Sequence, residues 1–215
     1  MNDRHVPVLK DTVLDVFNPS KGKIYLDATL GDAGHTQVLL EKGATVVAFE
    51  QDPQAIDRAL AFLKLALPKL DRKVIDAPLA LPLPQLLIIR ANFSHLSDYL
   101  TPLKLKLKLN GALFDLGVSS FQLTDPHKGL TFNSDSPLDM RLDPVLGVTA
   151  ADLLKILSEK ELKKLFWEFG GETFAAPIAK KIVQTRAHQP LTTTKQLADL
   201  IVKIKPRLRI HPATQ

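Results

Sequence analysis

The sequence has no cysteine in 215 residues. That absence excludes disulfides, thiolate nucleophiles and Cys-ligated metals together, and it is compatible with a reducing compartment. Also missing is any uninterrupted apolar run of the roughly 18 residues that a membrane span needs. The opening "MNDRHVPVLK" lacks the apolar core of a secretory signal, which predicts a cytoplasmic protein with no membrane partner. Aromatic residues are few, at 6%, with one Trp. No internal repeat is evident. What remains is ordinary globular material, 45% hydrophobic and 24% charged, enough for one large domain or two small ones. A formal charge of +5 admits a polyanionic partner without requiring one.

Apolar β-rich runs predict four strands, Ile24–Ala28, Thr45–Glu50, Leu86–Ala91 and Ala112–Leu116. Helical patterns separate the first ones. "HTQVLLEKG" stops at Gly43, a usual residue just past a helix end, and "DPQAIDRALAFLKLAL" begins with an Asp N-cap and Pro at the first helical position. Strands alternating with helices imply a parallel α/β sheet. From Gly117 to Gly147 the chain is rich in Gly, Pro, Ser and Asp and reads as a structured loop. Thr149–Ser158, Glu159–Phe169, Thr173–Ala187 and Thr194–Lys205 then read as amphipathic helices, with "TAAD" and "SEKE" as N-terminal boxes and Pro177 in a first turn. Two stretches fit poorly. Asp76–Gln85 is punctuated by Pro78, Pro82 and Pro84 and predicts an extended connection, and "LKLKLKL" (Leu103–Leu109) alternates like an edge strand where the pattern calls for a helix end and loop.

The turn after the first strand, "DATLGDAGH" from Asp27 to His35, has glycines only at Gly31 and Gly34. It therefore fails the three-glycine dinucleotide fingerprint. Asp27 and Asp32 beside the turn would repel a pyrophosphate but could face a cationic ligand such as a sulfonium bearing an ammonium group. Glu50, ending the second strand, is placed to accept two ribose hydroxyls. The bland alternative is a βαβ unit whose glycines only permit tight packing.

"GALFDLGVSSFQLTDPHKGLTFNSDSPLDMRLD" (Gly111–Asp143) is the most informative run, and it resembles the small-subunit ribosomal RNA cytosine-N4 methyltransferases, a family dependent on S-adenosylmethionine. "HVPVL", "DATLGDAGH", "DPQAI", "FGGETFAAPIAKKIV" and "HPAT" agree in the same order over essentially the whole chain. The resemblance implies a class I, Rossmann-like methyltransferase sheet with an inserted all-α domain. It implies that Ala33, Gly34 and His35 line the methionine end of the cofactor, Glu50 holds the ribose, Phe93 flanks the adenine, Gln122 closes over the ligand, and Asp115 stands near the reacting groups. It departs at three places: Ala33 stands where the family has Gly, Glu50 where Asp is usual, and Phe121 where Pro is common. No required functional group is lost.

Cytosine N4 is a poor nucleophile because its lone pair is delocalised into the ring. An acceptor for its N–H, for which Asp115 is the candidate, would raise its electron density during in-line attack, with alignment supplying most of the rate and no metal required. The alternative for Asp115 is a structural bond to the "GVSS" loop. Ser119 and Ser120 have no identifiable His/Asp partner, so a hydrolase is remote. Arg141, Lys180, Lys181 and Arg186 are candidate RNA contacts, with Lys203, Lys205, Arg207 and Arg209 adding charge; a solvated face is the alternative, and Asp139–Arg141 is equally an internal ion pair. Trp167 is expected in core or interdomain packing rather than as a base-stacking platform. Expected partners are small-subunit rRNA or the assembled subunit, with a homodimer left open.

Competing functions are an NAD-dependent oxidoreductase, disfavoured by the acidic turn, and a non-catalytic RNA-binding module. The expected organisation is 1–120 for cofactor binding, 121–148 as active-site loop and 149–210 as helical insert. The resemblance implies a seven-stranded sheet, so the remaining strands are expected beyond 215, Ala112–Leu116 is expected at a sheet edge, and this chain is expected to bind S-adenosylmethionine at best, with little methyl transfer and a tendency to aggregate through that edge.

Overall fold

The computed structural model describes residues 7–76, 82–101, 108–205 and 213, which fall into two compact units, 1–117 and 118–215. The first unit runs α1 (Lys10–Phe17), β1 (Ile24–Asp27), α2 (Gly34–Glu41), β2 (Thr45–Glu50), α3 (Pro53–Ala66), β3 (Arg72–Ile75), β4 (Leu86–Arg90), a 3-10 turn (Phe93–His95), α4 (Leu96–Leu100) and β5 (Gly111–Leu113). All pairings are parallel and the order is β3-β4-β2-β1-β5.

Period-two alternation sorts each strand's side chains to opposite faces. Tyr25, Val46, Ala48, Leu86 and Ile88 pack with Leu39 and Leu40 of α2 and Ile56, Ala59 and Leu63 of α3. Leu26, Val47, Phe49, Leu87 and Ile89 pack on the other face with Leu96, Tyr99 and Leu100 of α4. A sheet covered on both sides explains why β4 reads Leu-Leu-Ile-Ile without alternation. The helix signals operate as expected: the Asp52 carboxylate accepts the Gln54 N–H at 3.0 Å with Pro53 at the first helical position, and Gly43 takes φ +81° just past α2.

Among the described residues the sheet has five strands where the sequence predicts four. β3, Arg-Lys-Val-Ile, was not anticipated because it is an edge strand with only one neighbour, too short and too charged to show an apolar run. β5 is shorter than expected, ending at Leu113, and lies at the other edge as anticipated. Residues 77–81 of Asp76–Gln85 and 103–107 of Leu103–Leu109 lie outside the described residues.

The second unit carries α5 (Ser120–Thr124), α6 (Ala150–Ile156), α7 (Glu159–Glu168), α8 (Ala175–Arg186) and α9 (Thr194–Val202). Thr149 with Asp152 and Ser158 with Glu161 form capping boxes, and so do Ser119 with Gln122 and Thr193 with Gln196. Its core gathers Leu138, Leu154, Leu162, Ile178, Ile182, Leu191 and Leu200. Within it Lys205 donates to Glu172 at 2.5 Å, both side chains being buried. Burial would raise the Glu172 carboxyl, but the Lys205 ammonium and the Phe174 N–H overcome it and hold the group below its ordinary value.

Candidate functional site

The connection from β1 to α2 is organised by Asp27, the buried last residue of β1. Its carboxylate accepts the Thr36 hydroxyl at 2.6 Å and the Thr29 N–H at 3.2 Å. Burial pushes this carboxyl up despite both bonds. The Thr29 hydroxyl in turn accepts the Asp115 N–H at 2.8 Å, and the Ala28 N–H donates to the Leu113 carbonyl at 2.9 Å. One buried acid thereby fixes the turn, and the turn fixes the backbone of Asp115.

His35, on the first turn of α2, is 8% exposed. Its Nε2 lies 3.9 Å from an Asp115 carboxylate oxygen, while its buried Nδ1 has no hydrogen-bond partner among the described residues. Burying a polar nitrogen unpaired is costly, so this atom is a ready donor or acceptor for a ligand. The Asp115 carboxylate itself is half exposed.

Glu50 ends β2 and accepts the Gly31 N–H at 3.0 Å through one oxygen and the Asp52 N–H at 2.8 Å through the other. Burial raises its pKa, with those amides opposing. Two carboxylate oxygens offer about four acceptor positions, and the amides of Gly31, Asp52 and Gln51 all act on them, so capacity for a further donor remains. Beyond β4, the half-exposed Phe93 ring meets Phe114, the residue after β5, edge to face at 5.7 Å.

The structure bears on three expectations about the turn. Asp32 is not an unmatched charge, because Arg58 of α3 pairs with it at 2.8 Å. The Ala33 side chain is fully buried in the core, at φ +64°, a conformation that glycine adopts without strain. The close approach permitted by Gly34 is that of Pro7, whose Cγ would lie 2.4 Å from a Cβ at that position.

Ala33, Gly34, His35, Glu50, Phe93 and Asp115 thus gather at the carboxyl ends of parallel strands, beside β1, where the connections leave toward β2 on one side and β5 on the other. That is the usual ligand crevice of an open α/β sheet. Gln122 belongs to the second unit, where its side chain accepts the Ser119 N–H at 2.9 Å.

The basic candidates of the second unit divide. Arg141 grips Asp139 through two bonds, 2.6 and 2.7 Å, and also donates to the carbonyls of Pro144 and Leu146. This is the internal ion pair, and it holds Asp139 below its ordinary pKa. Arg186 donates to the Leu154 carbonyl. Lys205 is buried against Glu172, which removes it from the surface set. Lys180, Lys181 and Lys203 are exposed, while Arg207 and Arg209 lie outside the described residues. Trp167 is 58% exposed and lies outside the core of the second unit. Among the described residues no group of three or more acidic or His side chains could hold a metal, and no helix is long and apolar enough to cross a membrane.

The model of the MraW methylase family matches residues 2–215. The chain belongs to that family. It is 40% identical to ribosomal RNA small subunit methyltransferase H of Acidobacterium capsulatum, over 99% of this chain and 68% of the relative. The proteins of the same name from Deinococcus radiodurans and Carboxydothermus hydrogenoformans are 39% and 38% identical, over 97% and 99% of this chain and 61% and 64% of theirs. The chain thus spans about two thirds of the length of these relatives.

For this MraW-family chain, sequence reasoning passed over four side chains that shape the site. Thr29 carried a signal, since a hydroxyl residue two positions after a strand-terminal Asp is typical of a turn held by that Asp. Pro7, within "HVPVL", carries no signal of its contact with Gly34. Arg58 and Phe114 carried none, because an Arg on an amphipathic helix and a Phe in an apolar run are ordinary until the fold sets them beside Asp32 and Phe93.

Proposed function

We propose that this chain binds S-adenosylmethionine at the carboxyl ends of β1, β2 and β4 and methylates the exocyclic N4 of a cytidine in the decoding region of small-subunit ribosomal RNA, acting in the cytoplasm. The observation that carries the reading is the convergence on one sheet end of Glu50, with acceptor positions to spare, and the His35–Asp115 pair. Family membership and the printed names of the relatives supply the substrate class. A homodimer finds no support and forms no part of the reading.

The residues present fit the cofactor. Glu50 has acceptor capacity for ribose hydroxyls, Phe93 offers a ring to the adenine, and the backbone of Ala33 and Gly34 with the unpaired Nδ1 of His35 would hold the methionine end. When bound, the cofactor supplies an electrophilic methyl on a positively charged sulfur. Asp115 accepts an N–H of the cytosine amino group, raising electron density at N4, and takes the proton once the new bond has formed. Thr29 fixes the backbone of Asp115, and the His35 Nε2 lies 3.9 Å from its carboxylate. Arg141, Lys180, Lys181 and Arg186 remain the proposed RNA contacts, Lys180 and Lys181 as exposed cations, and Arg141 and Arg186 through the segments they brace.

The test is incubation with radiolabelled cofactor and small ribosomal subunits lacking the modification, followed by nucleoside analysis. Label in N4-methylcytidine, even at low yield, supports the reading; label in another nucleoside, or no binding of the cofactor, defeats it. Asp115→Asn should lower transfer at least tenfold while leaving cofactor affinity within a few fold. Equal loss of both would make Asp115 structural.

A further inference from the structure

The exposed face of α7 is built like a platform for single-stranded nucleic acid. On this helix Lys160, Lys163, Lys164 and Trp167 follow the spacing i, i+3, i+4, i+7, which places them on one stripe, and all four are exposed. The opposite side buries Leu162 and packs Phe166 into the core, so the stripe is fixed toward solvent by the helix's own amphipathicity.

The carboxylates of the helix do not break up the stripe. Glu161 is committed to the Ser158 cap, its carboxylate accepting both the Ser158 N–H and hydroxyl. Glu168 flanks one border, 3.9 Å from Lys164, and Glu159 flanks the other. The stripe therefore sets a 58% exposed indole in line with three lysines, of which Lys164 pairs with Glu168 at its border while Lys160 and Lys163 are exposed cations. A Trp this open is unusual for a residue that normally buries most of its area. Against a protein partner, a bare indole would sit among apolar or mixed charges, and lysine is depleted in such interfaces. A ring that can take a base, ringed by cations that can take phosphates, is the pattern by which single strands are held.

We infer that the Lys160–Lys163–Lys164–Trp167 face of α7 docks a single-stranded segment of the RNA substrate, one base stacking on Trp167 and adjacent phosphates lying on the lysines. The inference rests on the rRNA reading above and assigns it a surface distinct from Lys180 and Lys181 of α8.

Trp167 is the sole tryptophan of the chain, so tryptophan emission reports this face alone. The full chain is titrated with a cytidine-containing single-stranded RNA, following tryptophan emission in one arm and the anisotropy of end-labelled RNA in the other. Emission should be quenched with the same midpoint as the anisotropy rise. Trp167→Ala should weaken binding about tenfold, the size of one lost base stack, and Lys160→Gln with Lys163→Gln should lower the salt slope of log affinity by about 1.4. RNA that binds by anisotropy with unchanged emission and unchanged variants overturns the face and leaves the rRNA reading standing. No RNA binding at low salt, or quenching by RNA-free small-subunit proteins instead, overturns both the face and its stated occupant.

Discussion

Glu50 shows how one side chain can hold both a turn and a ligand. Each oxygen already accepts a backbone amide, from Gly31 and from Asp52, so Glu50→Ala would strip two buried donors of their partner and loosen the site before any cofactor arrives. Glu50→Gln is the sharper probe, because it keeps the shape and one acceptor. It should weaken S-adenosylmethionine binding by about 1–3 kcal/mol, measured by calorimetric titration, and unchanged affinity would remove Glu50 from the site. Hydroxyl donors favour the ionised carboxylate, whereas burial raises the pKa in the free protein. Wild-type affinity should therefore fall as pH drops through that raised value, and the Gln variant should show no such fall. Asp27 poses the opposite problem. Its pKa is raised by burial, so the folded state binds its proton more tightly than the unfolded chain does. Stability is then lost as pH rises from the unfolded value, about 3.9, through the folded one. Asp27→Asn carries no such titration and keeps an acceptor, while the Thr36 hydroxyl can turn to accept from the new amide. Chemical denaturation should show the Asn variant gaining on the wild type as pH rises from 4 toward neutrality; a constant difference would mean that Asp27 ionises freely in the fold.

The elements whose chemistry was local were legible in the sequence. The Asp52-Pro53 start of α3, the Gly43 stop of α2 and the Thr149 and Ser158 boxes each need only a few neighbouring residues, and each is found where it was expected. β3 was not legible because its place depends on β4, a strand inserted between it and β2 by a connection that the local pattern does not encode. The candidate site was legible to the extent that Glu50 and Asp115 follow strands, but the close contacts were not. Asp32 looked like an available charge until α3 brought Arg58 to it, and Gly34 looked like room for a ligand although Pro7 fills that room. The last contact yields a test of the element it joins. Gly34→Ala should destabilise the fold by about 1–3 kcal/mol through overpacking at the start of α2. Because the obstructing atom is the Pro7 Cγ, the double variant Pro7→Ala, Gly34→Ala should recover most of the loss. Additive losses in denaturation would show that Gly34 is needed for some reason other than Pro7.

At the scale of the whole molecule, each unit has its own core, a two-faced sheet in the first and a helical cluster in the second. Independent cores allow independent unfolding, in which case no single melting temperature describes the chain. The two units also differ in what should stabilise them. The proposed cofactor site draws Glu50, Phe93, His35 and Asp115 from the first unit, so a hundredfold excess of S-adenosylmethionine over its dissociation constant should stabilise that unit by about 2.7 kcal/mol. The buried Lys205–Glu172 pair belongs wholly to the second. Lys205→Ala would leave a buried carboxylate without its cation, and breaking such a pair from one side costs about 3–5 kcal/mol. Lys205→Met with Glu172→Gln, which removes both charges and keeps the volume, should restore much of that loss. Scanning calorimetry should then show two transitions, one raised by cofactor and indifferent to Lys205→Ala, the other lowered by Lys205→Ala and indifferent to cofactor. A single transition moved by both would mean that the units unfold together. A cofactor response confined to the transition that Lys205→Ala lowers would place the ligand in the helical unit and overturn the assignment of the site to the sheet.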